Sequence, residues 1–386
     1  MATTFSASSS AGSPFPRSEY ERRHREVFEA MARASLDALL VTAHGHLRYL
    51  TGYDGLGGYF MPFPLVLAPG RKPTYVVREY EVNGVRVESC IDEIVAYVQQ
   101  QDFAKVCADV LRNYGLENRR VGFELGCWNL APADVIALQA QLPNMKVADA
   151  TRVVPSVSVV KSELEIKAMR DAMAITDVAV RTFLAALRDG VTEVEVAAAI
   201  HGEVRIADGD DVRLFSLGFG ERNKLPHAKP TCHPIRNNEP AMIEVGGIKR
   251  AYAAGLVRSA VLGRHPETES LYALAEETLE AALAAIKPGV TAGEVDAVGR
   301  KVIGRSGRPE VFRHRTGYQI GINWGERGNL SLEPGAPDLL LAGMTLHMPI
   351  ILFSESGYLF GCSETVLVTE SGAEILSRTP HTLYRA

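Results

Sequence analysis

A short motif occurs twice in the second half of the chain and limits the folds that the chain can adopt. Gly190-Val191-Thr192 precedes Glu195-Val196, and the same pattern recurs from Gly289 to Val295, 99 residues later. Each copy ends one helical pattern, places a threonine where a helix N-cap is expected and precedes a strand-rich segment. Helices followed by strands, used twice, predict a pseudo-symmetric α+β domain with a site between its halves.

The segments before this domain have other patterns. Residues 1–17 are small and polar and predict a flexible tail. Residues 18–155 alternate between helical and strand-like periodicity, which predicts a smaller N-terminal α/β domain. We place the boundary where β-branched residues and Pro155 interrupt the pattern, so the second domain spans residues 156–386. It opens with a predicted helix from Ser162 to Leu187, in which Ser162 and Glu165 have capping-box spacing.

Bulk properties exclude several classes of partner. The chain has 386 residues, enough for two domains, and a formal net charge of −5 without a long basic run. We therefore expect neither nucleic acid nor an anionic membrane as partner. No apolar run approaches the length of a transmembrane helix. Five scattered cysteines without CxxC spacing predict reduced thiols and a cytoplasmic protein.

Three segments in the C-terminal half resemble one known family. They are HRTGYQIG (His314 to Gly321), GMTLHMP (Gly343 to Pro349) and GCSETVLVTESG (Gly361 to Gly372), in this order. Together they resemble the metallopeptidase family that includes methionine aminopeptidase, prolidase and aminopeptidase P, together with creatinase. The resemblance implies the pita-bread fold for residues 156–386 and a creatinase-like domain before it.

The metal-binding positions of that family are almost all altered. Its peptidases hold two metal ions with two Asp, one His and two Glu, and the resemblance places these positions at Glu244, Gly255, Tyr318, Pro349 and Ser363. A two-metal site needs several anionic oxygens, and only Glu244 supplies one. We therefore expect neither a metal ion nor another cofactor. Glu364 and His347 leave open a site for a single ion.

Loss of the metal ligands points to creatinase and to its relative ectoine hydrolase. Val257 and Pro349 stand where creatinase has two glutamates for a guanidinium group, whereas Trp324-Gly325-Glu326 and the segments around it resemble ectoine hydrolase. The stretch between Gly321 and Trp324 is shorter than in that relative. The resemblance implies a metal-independent hydrolase that cleaves a non-peptide C–N bond in a small amidine- or guanidine-like zwitterion.

Two residues are the candidate catalytic groups. His227 lies 17 residues before Glu244, the distance at which creatinase carries its general base. A histidine suits this role because its pKa is near working pH. Glu244 is the candidate partner of an amidinium group. The alternatives are that His227 satisfies buried backbone groups and that Glu244 is a structural acid.

Further residues are candidates for substrate binding. Arg258 could hold a carboxylate in a bidentate pair, or it could form a structural ion pair. Histidines and tyrosines of the motifs could line the pocket, or they could belong to the core. The candidate substrate-binding set is Arg258, Tyr252, His314, Tyr318, His347 and Glu364.

The Gly-rich segment GYDGLGGY adds Tyr53 and Tyr59 to the candidate substrate-binding residues. In creatinase the N-terminal domain of a second subunit closes the active site. By resemblance, we expect a homodimer in which Tyr53 and Tyr59 lie near the partner's site. The alternative is that both are ordinary loop aromatics.

Three other functions remain open from the sequence. The same pocket could serve a biosynthetic enzyme that uses His227 for elimination or ring opening. The chain could be a non-catalytic binding protein of the same fold, although its polar groups favour chemistry. A metallo-dipeptidase is the weakest alternative because the ligands are missing.

Overall fold

The computed structural model describes residues 12–55, 61–99, 102–326 and 328–386. Contacts divide the chain into two compact units. The first unit extends as far as Ser158 and includes the segment Glu326–Asn329, and the second comprises Val159–Gly325 and Leu330–Ala386. The sequence-based boundary, between residues 155 and 156, lies in the helix that ends the first of these segments.

The first unit contains a mixed sheet flanked by helices. Its described strands are β1 (Ala38–Val41), β2 (Leu65–Leu67), β3 (Thr74–Arg78), β4 (Glu93–Tyr97), β5 (Arg120–Phe123) and β6 (Lys146–Asp149). Its described helices are α1 (Arg17–Arg33), α2 (His44–Thr51), α3 (Val82–Glu88), α4 (Phe103–Asn113), α5 (Pro132–Gln141) and α6 (Val153–Ser158). The strand order is β4-β3-β2-β1-β5-β6. The central strand β1 is buried along its whole length, as expected for a strand covered on both faces.

The second unit combines helices with two long-stranded sheets. Its helices are α7 (Glu163–Ala186), α8 (Glu193–Ile206), α9 (Pro266–Ala285) and α10 (Ala292–Arg305). Its strands are β7 (Asp211–Phe219), β8 (Glu239–Lys249), β9 (Tyr252–Leu262), β10 (Gly317–Gln319), β11 (Ser331–Leu332), β12 (Thr345–Phe353), β13 (Leu359–Thr369), β14 (Gly372–Ile375) and β15 (Tyr384–Arg385). The strand orders are β15-β9-β8-β7 and β11-β10-β12-β13-β14.

The predicted repeat is confirmed in atomic detail. Thr192 and Thr291 each accept a hydrogen bond from the backbone N–H of the glutamate three residues later, and each glutamate bonds back to the threonine N–H. Each threonine also forms an isolated β-bridge to a residue later in the chain. Thr192 pairs with Pro234, and Thr291 pairs with Leu339. The capping box of Ser162 at the start of α7 is present as predicted. The two halves therefore use the same local hydrogen bonds to begin their second helices.

Strand alternation decides which side chains reach the core and which reach the site. Along β12, Leu346, Met348, Ile350 and Leu352 are fully buried and belong to the core cluster that includes residues of α9 and α10. Burial of such a side chain contributes about 1.5–3 kcal/mol. Because successive side chains of a strand point to opposite faces, His347 between two of them points away from this core.

A tight hairpin sets the register of β8 and β9. Lys249 pairs with Tyr252, and the two residues between them, Arg250 and Ala251, both have left-handed φ angles of 52° and 66°. Two such residues form the turn whose twist matches antiparallel strands. The register that follows places Glu244 opposite Val257 and Gly246 opposite Gly255, on one face of the sheet.

None of the helices among the described residues is long and apolar enough to span a membrane.

Candidate functional site

Glu244 lies in the middle of β8 between two fully buried neighbours, and 16% of its side chain is exposed. In the described part of the chain, no lysine or arginine lies within 4.0 Å of its carboxylate. The ionisable group that does lie there is His347, whose Nε2 is 3.7 Å from Oε1 of Glu244. A partly exposed carboxylate without a fixed cation is suited to a cationic ligand.

His347 is completely buried, and its Nε2 has no hydrogen-bond partner among the described residues. Its Nδ1 lies 3.4 Å from the hydroxyl of Thr365, the residue directly opposite on β13. That hydroxyl donates to the carbonyl of Gly255 at 2.8 Å and accepts from the N–H of the same glycine at 3.2 Å. A hydroxyl has one proton, so Nδ1 must be the donor to Thr365. In the neutral ring, the lone pair of Nε2 therefore faces Glu244.

Tyr318 lies opposite His347 across β10 and β12, with ring centroids 5.5 Å apart. Burial raises the pKa of its phenol, and the charge of Glu244 raises it further. The oxygen accepts a hydrogen bond of 3.2 Å from the indole Nε1 of Trp324. Tyr318 is therefore a neutral phenol that retains its own proton for donation.

His314 completes the group of motif residues around Glu244. Its ring centroid is 6.4 Å from that of Tyr318, and its Nδ1 donates to the carbonyl of Arg315 at 2.9 Å. His314 keeps an exposed side chain, but partial desolvation lowers the pKa of its imidazole, a shift opposed by the Arg315 carbonyl and by the charge of Glu244. Four sequence-predicted residues, Glu244, His314, Tyr318 and His347, therefore lie in one cluster.

Trp324 also belongs to this cluster, although the sequence indicated it only as part of a family resemblance and not as a site residue. Its ring centroid is 5.3 Å from that of His347. A Cβ placed on Gly246 would lie 2.1 Å from Cζ3 of the indole, and a Cβ on Gly255 would lie 2.2 Å from Cη2. The six-membered ring thus occupies the space that side chains at both positions would need.

The residues present do not fit the two-metal centre of the family. At position 255 an aspartate side chain would collide with Trp324. Pro349 offers no side-chain donor atom, and the hydroxyl of Ser363 is bound by the N–H of Val257 at 2.6 Å. Among the described residues, no group of three or more His, Cys, Asp or Glu side chains is arranged to hold a metal ion.

Arg258 and Glu364 form a buried ion pair away from this cluster. Their closest atoms are 2.7 Å apart, and both side chains are almost fully buried. Arg258 also donates to the carbonyls of Ser363 and Thr379, each at 2.6 Å. Alternation places Arg258 and Glu364 on the faces opposite to Val257 and Thr365. The pair is therefore suited to hold strands together, and Glu364 cannot join His347 at one ion.

Tyr252 is also engaged in a buried contact. Its hydroxyl donates to Glu165 at 2.7 Å, and that glutamate closes the capping box of α7. This contact ties the start of β9 to the first helix of the unit. This contact explains the buried position of the tyrosine without any contact to a substrate.

His227 lies in an exposed turn after the short 3-10 helix Gly220–Lys224 and has a left-handed φ of 53°. Among the described residues, His227 forms no ion pair with Glu244 within 4.0 Å. The structure therefore brings His347 against Glu244, while the sequence-based role of His227 stays a prediction.

In the first unit, Tyr53 is buried and packs edge-on against Tyr75, with centroids 6.3 Å apart. Its hydroxyl donates to Glu81 at 2.6 Å. Tyr59 lies outside the described residues. The expected role of both tyrosines at a partner's site stays a prediction.

Arg315 is a second residue that sequence reasoning missed. Its guanidinium carbon lies 4.2 Å from the ring centroid of Tyr318, and one of its nitrogens donates to the hydroxyl of Ser331 at 3.1 Å. The side chain is partly exposed. Its position directly after His314 in the HRTGYQIG segment was the available signal.

Comparisons with known proteins agree with this fold. The model of metallopeptidase family M24 matches residues 167–370, and that of the creatinase/prolidase N-terminal domain matches residues 23–160. Ectoine hydrolase of Halomonas elongata is 29% identical over 96% of this chain and 98% of its own length. Xaa-Pro dipeptidase of Pyrococcus horikoshii is 26% identical, covering 93% and 97%.

A solved structure shows the same architecture. Dipeptidase PepE from Mycobacterium ulcerans superposes with a TM-score of 0.83 at 27% identity, over 96% of this chain and 99% of that one. The expected pita-bread fold with a creatinase-like N-terminal domain is confirmed.

Proposed function

This chain belongs to metallopeptidase family M24, and from that premise we propose that it is a metal-independent hydrolase of a small amidine-like zwitterion. The bond cleaved would be a C–N bond other than a peptide bond. The observation that carries the proposal is the pair of Glu244 and His347, 3.7 Å apart and without a lysine or arginine within 4.0 Å of the carboxylate among the described residues. Two acceptors that face each other suit a donor-rich cation.

The chemistry of an amidinium group explains how its C–N bond could be hydrolysed without a metal ion. Its positive charge is shared over N–C–N, so the central carbon is already electron-poor and needs less polarisation by a Lewis acid. Glu244 would accept from one N–H edge, and the neutral phenol of Tyr318 would donate a hydrogen bond to the oxygen that adds to the central carbon. The protein would orient the substrate and place fixed dipoles beside the carbon that forms the new C–O bond.

The carboxylate of the zwitterion needs a cation. The sequence assigned this role to Arg258, but that guanidinium is bound to Glu364 and to backbone carbonyls. We propose Arg315 instead, because it is partly exposed and lies against Tyr318 in the Glu244 cluster. Arginine suits this role because its planar guanidinium matches the geometry of a carboxylate and forms charge-assisted hydrogen bonds with it.

A histidine would take the proton of the attacking water and later donate it to the nitrogen that leaves as the C–N bond breaks. His227 is the candidate from the sequence, and His347 is the histidine that lies against Glu244. Removal of a general base typically lowers the rate roughly 10²–10⁴-fold. Comparing His227→Ala with His347→Asn in kcat assigns the role to one of them. Unchanged kcat in both variants would exclude His227 and His347 as the base.

Ectoine is the first substrate to test, because it is a cyclic amidine with a carboxylate and a relative is an ectoine hydrolase. Enzyme treated with EDTA and then desalted would be incubated with ectoine and, separately, with an Xaa-Pro dipeptide plus Mn²⁺. We expect product with the mass of ectoine plus water from the metal-free enzyme. Loss of turnover on EDTA treatment would refute the proposal, and so would cleavage of the dipeptide alone.

We also propose that the protein is a homodimer, on the resemblance to creatinase. Light scattering after gel filtration would test this assembly. A single species with the mass of one chain would contradict it.

A further inference from the structure

Trp324 lies in a backbone conformation that L-residues avoid. Its φ is 73°, and that of Asn323 before it is 55°. A bulky aromatic residue in the left-handed region is an outlier that persists only when its surroundings hold it there. Strained positions of this kind cluster at ligand-binding and catalytic sites.

The surroundings of this turn account for its stability. Asn323 donates its N–H to the carbonyl of Ala251 at 2.9 Å, and the carbonyl of Trp324 accepts from Gly321 at 3.2 Å. The indole Nε1 donates to Tyr318 at 3.2 Å. Backbone and side-chain bonds together therefore fix where the ring points.

The ring enters a gap made by two glycines. Its Cζ3 and Cη2 atoms are the ones nearest to the Cβ positions of Gly246 and Gly255, so an edge of the six-membered ring meets this glycine floor. The two faces of the ring are therefore not the parts that meet the glycines. Gly246 follows Glu244 by two residues, so the carboxylate and the indole lie on the same face of β8, about 7 Å apart along the strand.

We propose that Trp324 determines specificity by forming the aromatic wall of a site for a planar organic cation, with Glu244 as the counter-ion. This inference rests on the proposed function and names the chemical class that the site takes. The face of an indole is electron-rich and attracts cations, most strongly when the site is desolvated. Trp324 is only 8% exposed, and the only described ion-pair partner within 4.0 Å of Glu244 is a histidine.

The same ring explains why a planar cation and not a divalent metal would fit. An aspartate at position 255 would need the space that Cη2 occupies. A flat amidinium group can lie along an indole face while its N–H groups reach the carboxylate. The indole can therefore occupy this space only because positions 246 and 255 are glycines.

Binding without turnover tests this assignment. The chain has two tryptophans, and Trp128 lies in the first unit and is 79% exposed, so Trp128→Phe leaves Trp324 as the sole indole reporter. Acetamidinium chloride is the planar cation, and acetamide is its neutral counterpart of the same shape. Fluorescence titration and calorimetry would compare both probes on this background.

We expect acetamidinium to bind more tightly than acetamide. Trp324→Leu should weaken acetamidinium binding by roughly 2- to 30-fold, the range of a cation–π contact, and leave acetamide unchanged. Trp324→Phe, which keeps an aromatic face but loses the bond to Tyr318, should retain the preference for the cation. Thermal melting of each variant would show that it is folded.

Three results would overturn the assignment. They are no measurable binding of acetamidinium, equal affinity of the unaltered site for both probes, and unchanged acetamidinium affinity in folded Trp324→Leu. Cation preference in a protein that fails to hydrolyse ectoine would refute the proposed ectoine turnover and leave the assignment to Trp324 intact. Ectoine turnover by a protein whose cation binding does not depend on Trp324 would support the proposed turnover and refute the assignment to Trp324.

Discussion

Replacement of Glu244 by glutamine removes the charge of the site while it keeps the shape of the side chain. The magnitude follows from the surroundings of this carboxylate, which has no lysine or arginine within 4.0 Å among the described residues. Two unit charges at about 4 Å interact with about 4 kcal/mol at an effective dielectric constant near 20. The cost of removing water from both charges offsets part of this attraction, so a charge-assisted hydrogen bond contributes about 1.5–3 kcal/mol to binding.

We therefore expect Glu244→Gln to lower kcat/KM for a cationic amidine roughly 10- to 150-fold. Steady-state kinetics with ectoine would measure this, with calorimetry of acetamidinium as a binding assay independent of turnover. The decrease should be present for the cation and nearly absent for acetamide. Glu203→Gln, on the exposed surface of α8, is the matched control and should change neither value.

Two results would refute this reasoning. The first is an equal loss of affinity for the cation and for acetamide, because the effect would then be one of shape or folding. The second is an unchanged kcat/KM in a folded Glu244→Gln protein, because the carboxylate would then not face the substrate's charge.

Other changes test the scaffold around the site. Glu364→Gln leaves Arg258 buried without its counter-ion and should lower the free energy of unfolding by about 3–5 kcal/mol in urea denaturation; a loss below 1 kcal/mol would contradict the structural assignment. Thr192→Ala and Thr291→Ala should each cost about 1 kcal/mol by the same assay, because each removes an N-cap, and very different losses would argue against equivalent repeats. Burial lowers the pKa of Lys161 to about 8, so the unfolded chain binds its proton more tightly and the lysine's contribution to stability rises between about pH 8 and 10.5. Lys161→Met should therefore abolish that slope and raise stability at pH 7 by about 1–3 kcal/mol; an unchanged slope would show that the ammonium group is solvated.

Local signals in the sequence predicted much of the fold. The capping boxes of Ser162, Thr192 and Thr291 follow from residues three positions apart, and each is present. Such contacts are readable because both partners lie within one helical turn. The clustering of Glu244 with Tyr318 and His347 could be expected only through resemblance to a known family, because these residues lie on strands far apart in sequence.

Contacts across long sequence separations escaped prediction. Arg258 was a candidate for a substrate carboxylate or for a structural ion pair, but the sequence did not identify its partner, Glu364, which lies 106 residues away and binds it on the other face of the sheet. That face depends on the strand register, which the turn at Arg250 and Ala251 fixes through left-handed angles that neither residue favours. Trp324 was missed for a similar reason, since its direction depends on a strained turn and on the absence of side chains at two glycines.

A balance of charge connects these observations. The family's peptidase site has four carboxylates for two divalent ions, so the negative charges match the positive ones. The corresponding positions in this chain retain one carboxylate, Glu244, with glycine, tyrosine, proline and serine at the others. One carboxylate balances one monovalent cation, whereas a single divalent ion there would keep an uncompensated charge beside the buried rings of Trp324 and His347. This count of charges supports our proposal that Glu244 binds the cationic group of an organic ligand beside the aromatic rings of Tyr318 and Trp324.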